Sequence, residues 1–391
     1  MCILLKMIDE YKEIETRLLA IEAVLTDALP KQISKDWMSR VFSGIANGEN
    51  ISLSSPSALL SPGRELLQRG GKRWRPLLML LVCEALGGKD RALCLSPLVE
   101  LCHNASLLHD DIEDDSAQRR GKPAIHLLYG TDTAINSACF LYFLPLISID
   151  SLKTSESFKY TLYRSWSLAM RRLHLGQSMD IDWHKKVDYI PSLDDYFSMC
   201  ALKTGVLARF AAELGVLSLS LNDEKTSKME NGDAVNLPVL AKLADTLGTA
   251  AEKLGQGFQI LDDVHNLTVG IPGKKRGDDV VEGKMSLPVL LFLRKEAEKT
   301  PASLHKLAFV QDCFINAKKN GTSAPEVGLF IDALREDGAL EAAEGIGRRL
   351  IKTAQAAFSD LPPPVFDEQN AERTAPARAL LADFTRIMLA E

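Results

Sequence analysis

Apolar residues recur at spacings of three and four along most of this chain, and that period admits helices and little else. Between residues 8 and 28 it is kept by Ile8, Tyr11, Ile14, Leu18, Leu19, Ile21, Leu25 and Ala28. Residues 74–86 form an apolar stretch opened near Pro76 and stopped by Gly87-Gly88, which suits a helix start and a helix stop. Residues 97–114 run from Pro97 through apolar positions into acids, and residues 237–266 hold another long periodic segment. Regular alternation is missing, and so is an Asn-Gly hairpin between β-branched runs, so strands are not expected. The period predicts an all-α protein, one large bundle. Loops are expected at Ser52–Gly63, Asn222–Gly232, Gly270–Gly283 and Asp360–Glu368, followed by a closing helix over 371–391.

Charge and composition narrow the partners. Across 391 residues, 46 Lys and Arg face 52 Asp and Glu, a formal charge of −6. No overall basic field exists to gather phosphates, so nucleic acid is not an expected partner. The longest apolar run, Cys139 to Ile149, is interrupted by Tyr142, Pro145 and Ser148 and reads as a buried helix, so no membrane span is expected. The opening Met1 to Met7 is too short for the core of a secretory leader. The 7 cysteines lie scattered with no CxxC pair, which predicts a reduced, cytoplasmic setting without a zinc cluster.

Two acidic clusters carry the chemistry. The first is His109-Asp110-Asp111-Ile112-Glu113-Asp114-Asp115, and the second is Gln259-Ile260-Leu261-Asp262-Asp263-Val264-His265-Asn266. Each sets two carboxylates side by side at the polar end of an apolar helical run. Each has a further oxygen side chain four residues after the first carboxylate. Residues i and i+4 share a helix face with Cβ atoms about 5–6 Å apart. Asp110 with Asp114, and Asp262 with Asn266, are therefore expected to reach a common point. Carboxylates held so closely repel one another unless a cation or raised pKa values relieve them. Oxygen ligands without His or Cys companions suit magnesium, which favours sites shared with substrate phosphates.

Cations follow the acids. Gly70-Gly71-Lys72-Arg73-Trp74-Arg75-Pro76 joins a glycine turn to three cations, and Arg119-Arg120-Gly121-Lys122 comes just after the first cluster. Lys203-Thr204-Gly205 interrupts an apolar helix, and Gly273-Lys274-Lys275-Arg276-Gly277 and Gly283-Lys284 follow the second cluster. Arginine offers a fixed fork for phosphate oxygens, and lysine a mobile point charge.

With these motifs the sequence resembles the trans-polyprenyl diphosphate synthases. GGKRWRP (70–76), LLHDDIEDDSAQRRGKP (107–123), GQSMDID (176–182), KTG (203–205), FQILDDVHN (258–266) and GDDVVEGKMSLP (277–288) appear in that family's order. His103 to Leu108, Asp110 to Asp114, Ala134 to Ala138 and the Asp-Asp-x-x-Asn form of the second cluster resemble the eukaryotic-type geranylgeranyl diphosphate synthases. The segments 1–60 and 290–391 match in helical character alone and are expected to complete one domain, 1–391.

The resemblance implies long antiparallel helices around a central cavity, with the acidic clusters facing each other across its mouth. It implies that Asp110, Asp114 and Asp262 ligate magnesium, three ions in the family picture, bridging an allylic diphosphate. Asp111 and Asp263 would support them. Arg119, Lys203 and Lys275 would hold that diphosphate, with Lys284 as the lysine of the closing loop. Lys72, Arg75, His103 and Arg120 would bind the diphosphate of isopentenyl diphosphate. Gln259 and the Thr204 carbonyl would lie near the developing allylic cation. Asp110, Asp111, Asp114, Lys203, Asp262 and Asp263 are thus the expected catalytic set, and a homodimer is the family's habit. Asn266 stands where most of the family has Asp, which puts its role as a ligand in doubt.

If residues 97–114 are one helix, Ala105 and Ser106 lie roughly 6–7.5 Å below Asp110 along its axis. Short-chain members of the family typically carry an aromatic there, and here both residues are small. Phe140, Tyr142, Phe143, Leu173 and His174 are then candidates for the stopper, and plain core packing explains the aromatics equally well. Geranylgeranyl diphosphate is the expected product, with a chain of hexaprenyl length or above as the alternative. A terpene cyclase should carry Ser or Thr and then Glu where this chain has Asn266 and Gly270, and a non-catalytic partner subunit should show eroded Asp clusters.

Overall fold

The computed structural model describes residues 2–43, 52, 54–186, 189–221, 237–270, 275–294, 301–364 and 371–384. The expected loop Asn222–Gly232 lies outside the described residues, as do 271–274, 365–368 and the end of the closing segment.

The chain is a succession of helices. Its first half holds α1 (Cys2–Ala28), α2 (Lys35–Val41), α3 (Ser54–Gln68), α4 (Trp74–Ala85), α5 (Ser96–Glu113), α6 (Ile125–Tyr129), α7 (Thr131–Phe143), α8 (Ile147–Asp150) and α9 (Glu156–Lys185). Its second half holds α10 (Leu193–Cys200), a π-helical turn (Ala201–Gly205), α11 (Val206–Leu217), α12 (Leu237–Thr268), α13 (Asp278–Glu282), α14 (Leu287–Arg294), α15 (Pro301–Asn320), α16 (Pro325–Asp337), α17 (Ala339–Ser359) and α18 (Ala371–Ala382). Among the described residues the strands are two antiparallel pieces, β1 (Gln118–Arg119) and β2 (Lys122–Pro123).

The long periodic segments form helices where expected, and the loop expected at Ser52–Gly63 does not. Most of it is the first part of α3. Pro56 falls in the first turn, where no intrahelical partner is owed to a backbone N–H. Pro62 sits inside the helix, and the next amide, Gly63 N–H, donates to Ser137 Oγ on α7 at 3.3 Å. The expected loop Gly270–Gly283 likewise contains the short helix α13.

Two apolar cores share their longest helices. The larger gathers α3, α4, α5, α7 and α11 with Leu254 and Leu261 of α12 and Ile351 of α17. The second gathers α10, α14, α15 and α16 with Ile260 and Val264 of α12 and Leu340 and Ala343 of α17. The first part of α12 and the last part of α17 therefore serve the larger core, and their other ends serve the second.

The stretch Thr131–Asp150 is 20 residues of helix with a mean hydropathy of 1.4, and 44% of its most apolar window is buried. By length and composition alone it is apolar enough to cross a membrane. Tyr142, Pro145 and Ser148 interrupt the apolar run, and helix continues through all three, as expected of this stretch.

Candidate active site

The acids of the first cluster sit in the last turns of α5 and just past its end. That is the negative end of a helix dipole, where carboxylates are least at ease. Cations from other elements offset them. Lys203 Nζ donates to Asp110 Oδ1 at 3.0 Å, and Gln177 Nε2 donates to the same oxygen at 3.2 Å. Arg119 Nη2 reaches Asp110 Oδ2 at 3.3 Å, while Arg119 Nε donates to the buried Asp111 Oδ1 at 2.7 Å. Asp111 thus acts by aiming Arg119. Lys284 Nζ lies 3.7 Å from Asp114 Oδ2, and His184 Nδ1 lies 3.9 Å from Asp114 Oδ1. Burial, opposed by Lys284 and reinforced by Asp110, raises the Asp114 carboxyl to about 6.

Both aspartates of the second cluster line the central cavity. Asp263 is buried and accepts from Gln259 Nε2 on Oδ1 and from the Tyr196 hydroxyl on Oδ2, each at 2.8 Å. Burial and then the charge of Asp279 push its carboxyl up to about 7. Asn266 does not share a point with Asp262. It is completely buried, and its Oδ1 accepts from the Asp279 backbone N–H at 3.2 Å. Its oxygen ties the end of α12 to the start of α13, which carries Asp279 and leads to Lys284.

Three local devices aim the cations. Arg119 and Arg120 ride on the β1–β2 hairpin, whose two turn residues, Arg120 and Gly121, have φ of 54° and 72°. Positive φ at both positions is the signature of a type I′ turn. Arg73 begins α4 at φ 48° after two glycines, another strained conformation of the kind that clusters at binding sites. The π turn carries Lys203 and Thr204. A Cβ on Gly176 would stand 2.4 Å from Lys203 N, and one on Gly255 would stand 2.7 Å from Gly205 Cα. Glycine at both positions lets α9 and α12 close on that turn.

One cavity of about 350 Å³ joins these parts. Asp110, Asp262, Lys203, Arg119 and Lys284 line it together with Lys72, Arg75, His103, Arg120, Thr204 and Gln259. Burial lowers Arg75 to about 10, and burial with the charge of Arg73 does the same to Arg120. Burial would lower Lys203 too, but Asp110 and Asp180 hold it well above its ordinary value. Lys275 departs from expectation. It is exposed, does not line the cavity, and its backbone N–H donates to Asp278 Oδ2. The loop after α12 turns its side chain outward.

The polyprenyl synthetase family model matches residues 56–313, two thirds of the sequence. The chain belongs to the polyprenyl synthetase family. By that membership it is a prenyltransferase. A geranylgeranyl pyrophosphate synthase of Eremothecium gossypii is 32% identical over 68% of this chain and 79% of the relative. A geranylgeranyl diphosphate synthase of Methanosarcina mazei is 31% identical over 63% of this chain and 71% of the relative. The crystal structure of a geranylgeranyl pyrophosphate synthetase from Pyrococcus horikoshii superposes with a TM-score of 0.71, covering 97% of this chain and 99% of that one. At 24% identity that likeness speaks for the fold.

Within this polyprenyl synthetase, α5 separates the two expected length-setting positions. Ser106 lines the cavity, but Ala105 is completely buried in the larger core. Successive helix residues point about 100° apart. Among the proposed stoppers, Leu173 lines the cavity. Tyr142 is buried in the larger core, its ring 5.0 Å from His174 and stacked 5.8 Å from His109. Phe140 instead stacks on Phe42, and Phe143 packs on Trp166 at the surface.

Several contacts of the site were not legible in the sequence. Glu100 is buried, accepts from Arg73 Nη1 at 2.9 Å, and faces the basic cluster. Asp180 accepts from Lys203 and lies 3.1 Å from His184 Nε2. Glu282 pairs with Lys284. A buried charge needs a partner, but only the structure says which carboxylate serves which cation.

Proposed function

We propose that this prenyltransferase, as a single domain over 1–391, condenses isopentenyl diphosphate with an allylic diphosphate and that geranylgeranyl diphosphate is its principal product. The observation that carries this reading is that one cavity is lined by both carboxylates and guanidinium groups. Asp110, Asp262 and Asp263 line it with Arg73, Arg75, Arg119 and Arg120, and so do Thr204, Gln259, Ser106, Leu107, Leu173 and Leu207. Two diphosphates fit those two sets, one held through cations bridging acids and one held by arginines directly.

Asp110, Asp114 and Asp262 are the residues that would hold magnesium. Among the described residues no three acidic, His or Cys side chains converge on one metal-sized point. Their hard oxygens fit an ion that takes its other ligands from water and substrate phosphates. When bound, magnesium supplies charge neutralisation to a departing diphosphate.

The chain's own residues do the rest. Lys203 and Arg119 orient the allylic diphosphate. The allylic carbon–oxygen bond breaks with its electron pair leaving on diphosphate. Gln259 Oε1 and the Thr204 carbonyl offer dipoles to the allylic cation in a water-poor site. Lys72, Arg75, His103 and Arg120 hold isopentenyl diphosphate so that its double bond attacks. A new carbon–carbon bond forms, and a proton passes from the condensed product to the released diphosphate. The enzyme works as a homodimer, supported by the apolar residues that α6 and α7 expose. A cytoplasmic setting is supported by the free thiols of Cys83, Cys102, Cys200 and Cys313, all buried.

The test uses the full chain with magnesium, isopentenyl diphosphate and, in separate reactions, dimethylallyl, geranyl and farnesyl diphosphate. The twenty-carbon alcohol is expected after dephosphorylation. A ladder of longer alcohols would replace the product assignment. No condensation with any primer by folded protein would overturn the reading altogether.

A further inference from the structure

Tyr196 is completely buried in the first turn of α10, behind the cavity wall. A capping box between Ser192 and Asp195 fixes the start of that helix, and the Tyr196 amide donates to the Ser192 carbonyl at 2.9 Å. Packing alone would be met by Phe at this position, since the ring lies against Phe197 at 5.9 Å. The hydroxyl does more. It heads a chain of hydrogen bonds that ends on the cavity wall. Tyr196 donates to Asp263 Oδ2 at 2.8 Å, Gln259 Nε2 donates to Asp263 Oδ1 at 2.8 Å, and Thr204 Oγ1 donates to Gln259 Oε1 at 2.7 Å. With Tyr196 donating to Oδ2, Asp263 Oδ1 receives the nitrogen end of the Gln259 amide. The amide oxygen is thereby turned toward Thr204.

We infer that Tyr196 is a positioning residue for prenyl transfer, acting through Asp263 to hold the Gln259 amide against the reacting centre. The inference rests on the function proposed above, in which Gln259 faces the allylic cation. Without the hydroxyl, Asp263 keeps one donor and can rotate, and Gln259 rotates with it. A dipole aimed at a developing charge loses its effect when its direction is free. The isopentenyl diphosphate cluster around Arg75 and His103 is untouched by this chain.

Tyr196→Phe is therefore expected to lower kcat by about tenfold, while the KM for isopentenyl diphosphate stays within about twofold and the product length is unchanged. Thr204→Val breaks the far end of the same chain. The two variants combined should lower kcat by less than the product of their separate effects, as coupled groups do. An unchanged kcat in Tyr196→Phe, multiplicative effects, or a parallel rise in KM would each overturn the inference. If Tyr196→Phe does not fold, Asp263→Asn breaks the chain from its centre and must show the same kcat loss at constant KM. The double-mutant cycle is also read as melting temperature in metal-free protein. Coupling there supports the chain and additivity overturns it, even if the wild-type protein condenses no primer and the functional reading fails by itself.

Discussion

A neutral imidazole set among guanidinium groups is ready for an anion. His103 faces Arg75, whose Nη1 lies 3.1 Å from His103 Nε2. Arginine can only donate, so Nε2 accepts and the ring proton stays on Nδ1. Burial first, and then the charges of Arg75, Arg120, Arg119 and Arg73, press the His103 pKa well below its usual 6.5. In the unfolded chain the same ring titrates near its ordinary value. As pH falls below about 6.5 the unfolded state takes up a proton that the folded state refuses, so stability present at pH 7 is lost on acidification. His103→Gln removes that contribution. Melting curves of metal-free protein between pH 7.5 and 5 should fall less steeply for His103→Gln than for wild type. Parallel curves would show that His103 is no more hindered in the fold than outside it. The same variant is expected to raise the KM for isopentenyl diphosphate by about tenfold, the worth of one charge-assisted hydrogen bond.

Single helices decide how deep the product tail can reach. On α5, Ser106 lies one turn below Asp110 and faces the cavity, while its neighbour Ala105 faces the core. Ser106→Phe is expected to fill the space beside Leu173 and shorten the main product from twenty to fifteen carbons. Ala105→Phe should instead overpack the core, lowering stability by about 1–3 kcal/mol. Chromatography of the dephosphorylated alcohols, with melting curves alongside, separates the two, and a fifteen-carbon product from Ala105→Phe would reverse this assignment. The sequence told which helix carries these positions, because the period of α5 is unbroken from Pro97 to the acids. It told less wherever a role depends on a second element. Asn266 follows Asp262 by one turn and looked able to reach the same point, yet its oxygen is taken by an amide 13 residues further on. Lys275 sits in a basic run, but the backbone turns it to solvent. The β1–β2 hairpin was invisible because arginine is an uncommon residue at positive φ. The helix across Ser54–Gln68 was masked by its own prolines, one tolerated in the first turn and one held inside the helix. Tyr196 carried no signal at all, since an isolated Tyr in an apolar period is ordinary core until Asp263 is seen beside it.

At the scale of the whole molecule the unexplained surface is apolar. On α7, Ile135 and Phe143 stand 41% and 60% exposed, with Cys139 exposed between them. These positions are four apart, so they make one stripe along the helix. The adjoining α6 exposes Leu127, Leu128 and Tyr129. A monomer gains nothing from a continuous apolar band in water, and contiguous patches of this kind mark interaction surfaces. A second copy of the chain would meet the requirement under two-fold symmetry, in which the same patch serves both sides. The stripe also contributes to the high hydropathy of Thr131–Asp150, since Ile135, Cys139 and Phe143 are exposed alongside Thr131, Asp132 and Asn136. Ile135→Asp tests this directly. Each copy would carry an unpaired carboxylate into the interface, at a cost of several kcal/mol per ion. Since about 1.4 kcal/mol is tenfold in affinity, dissociation should strengthen by a hundredfold or more. Sedimentation velocity on the full chain is expected to show a dimer for wild type and a folded monomer for Ile135→Asp. A monomeric wild type, or a variant that stays dimeric, would move the interface elsewhere. Because Tyr142 of α7 packs against His174, whose neighbour Leu173 lines the cavity, loss of the dimer should broaden the range of product lengths. The helix behind that contact would then have lost the partner that holds its outer face.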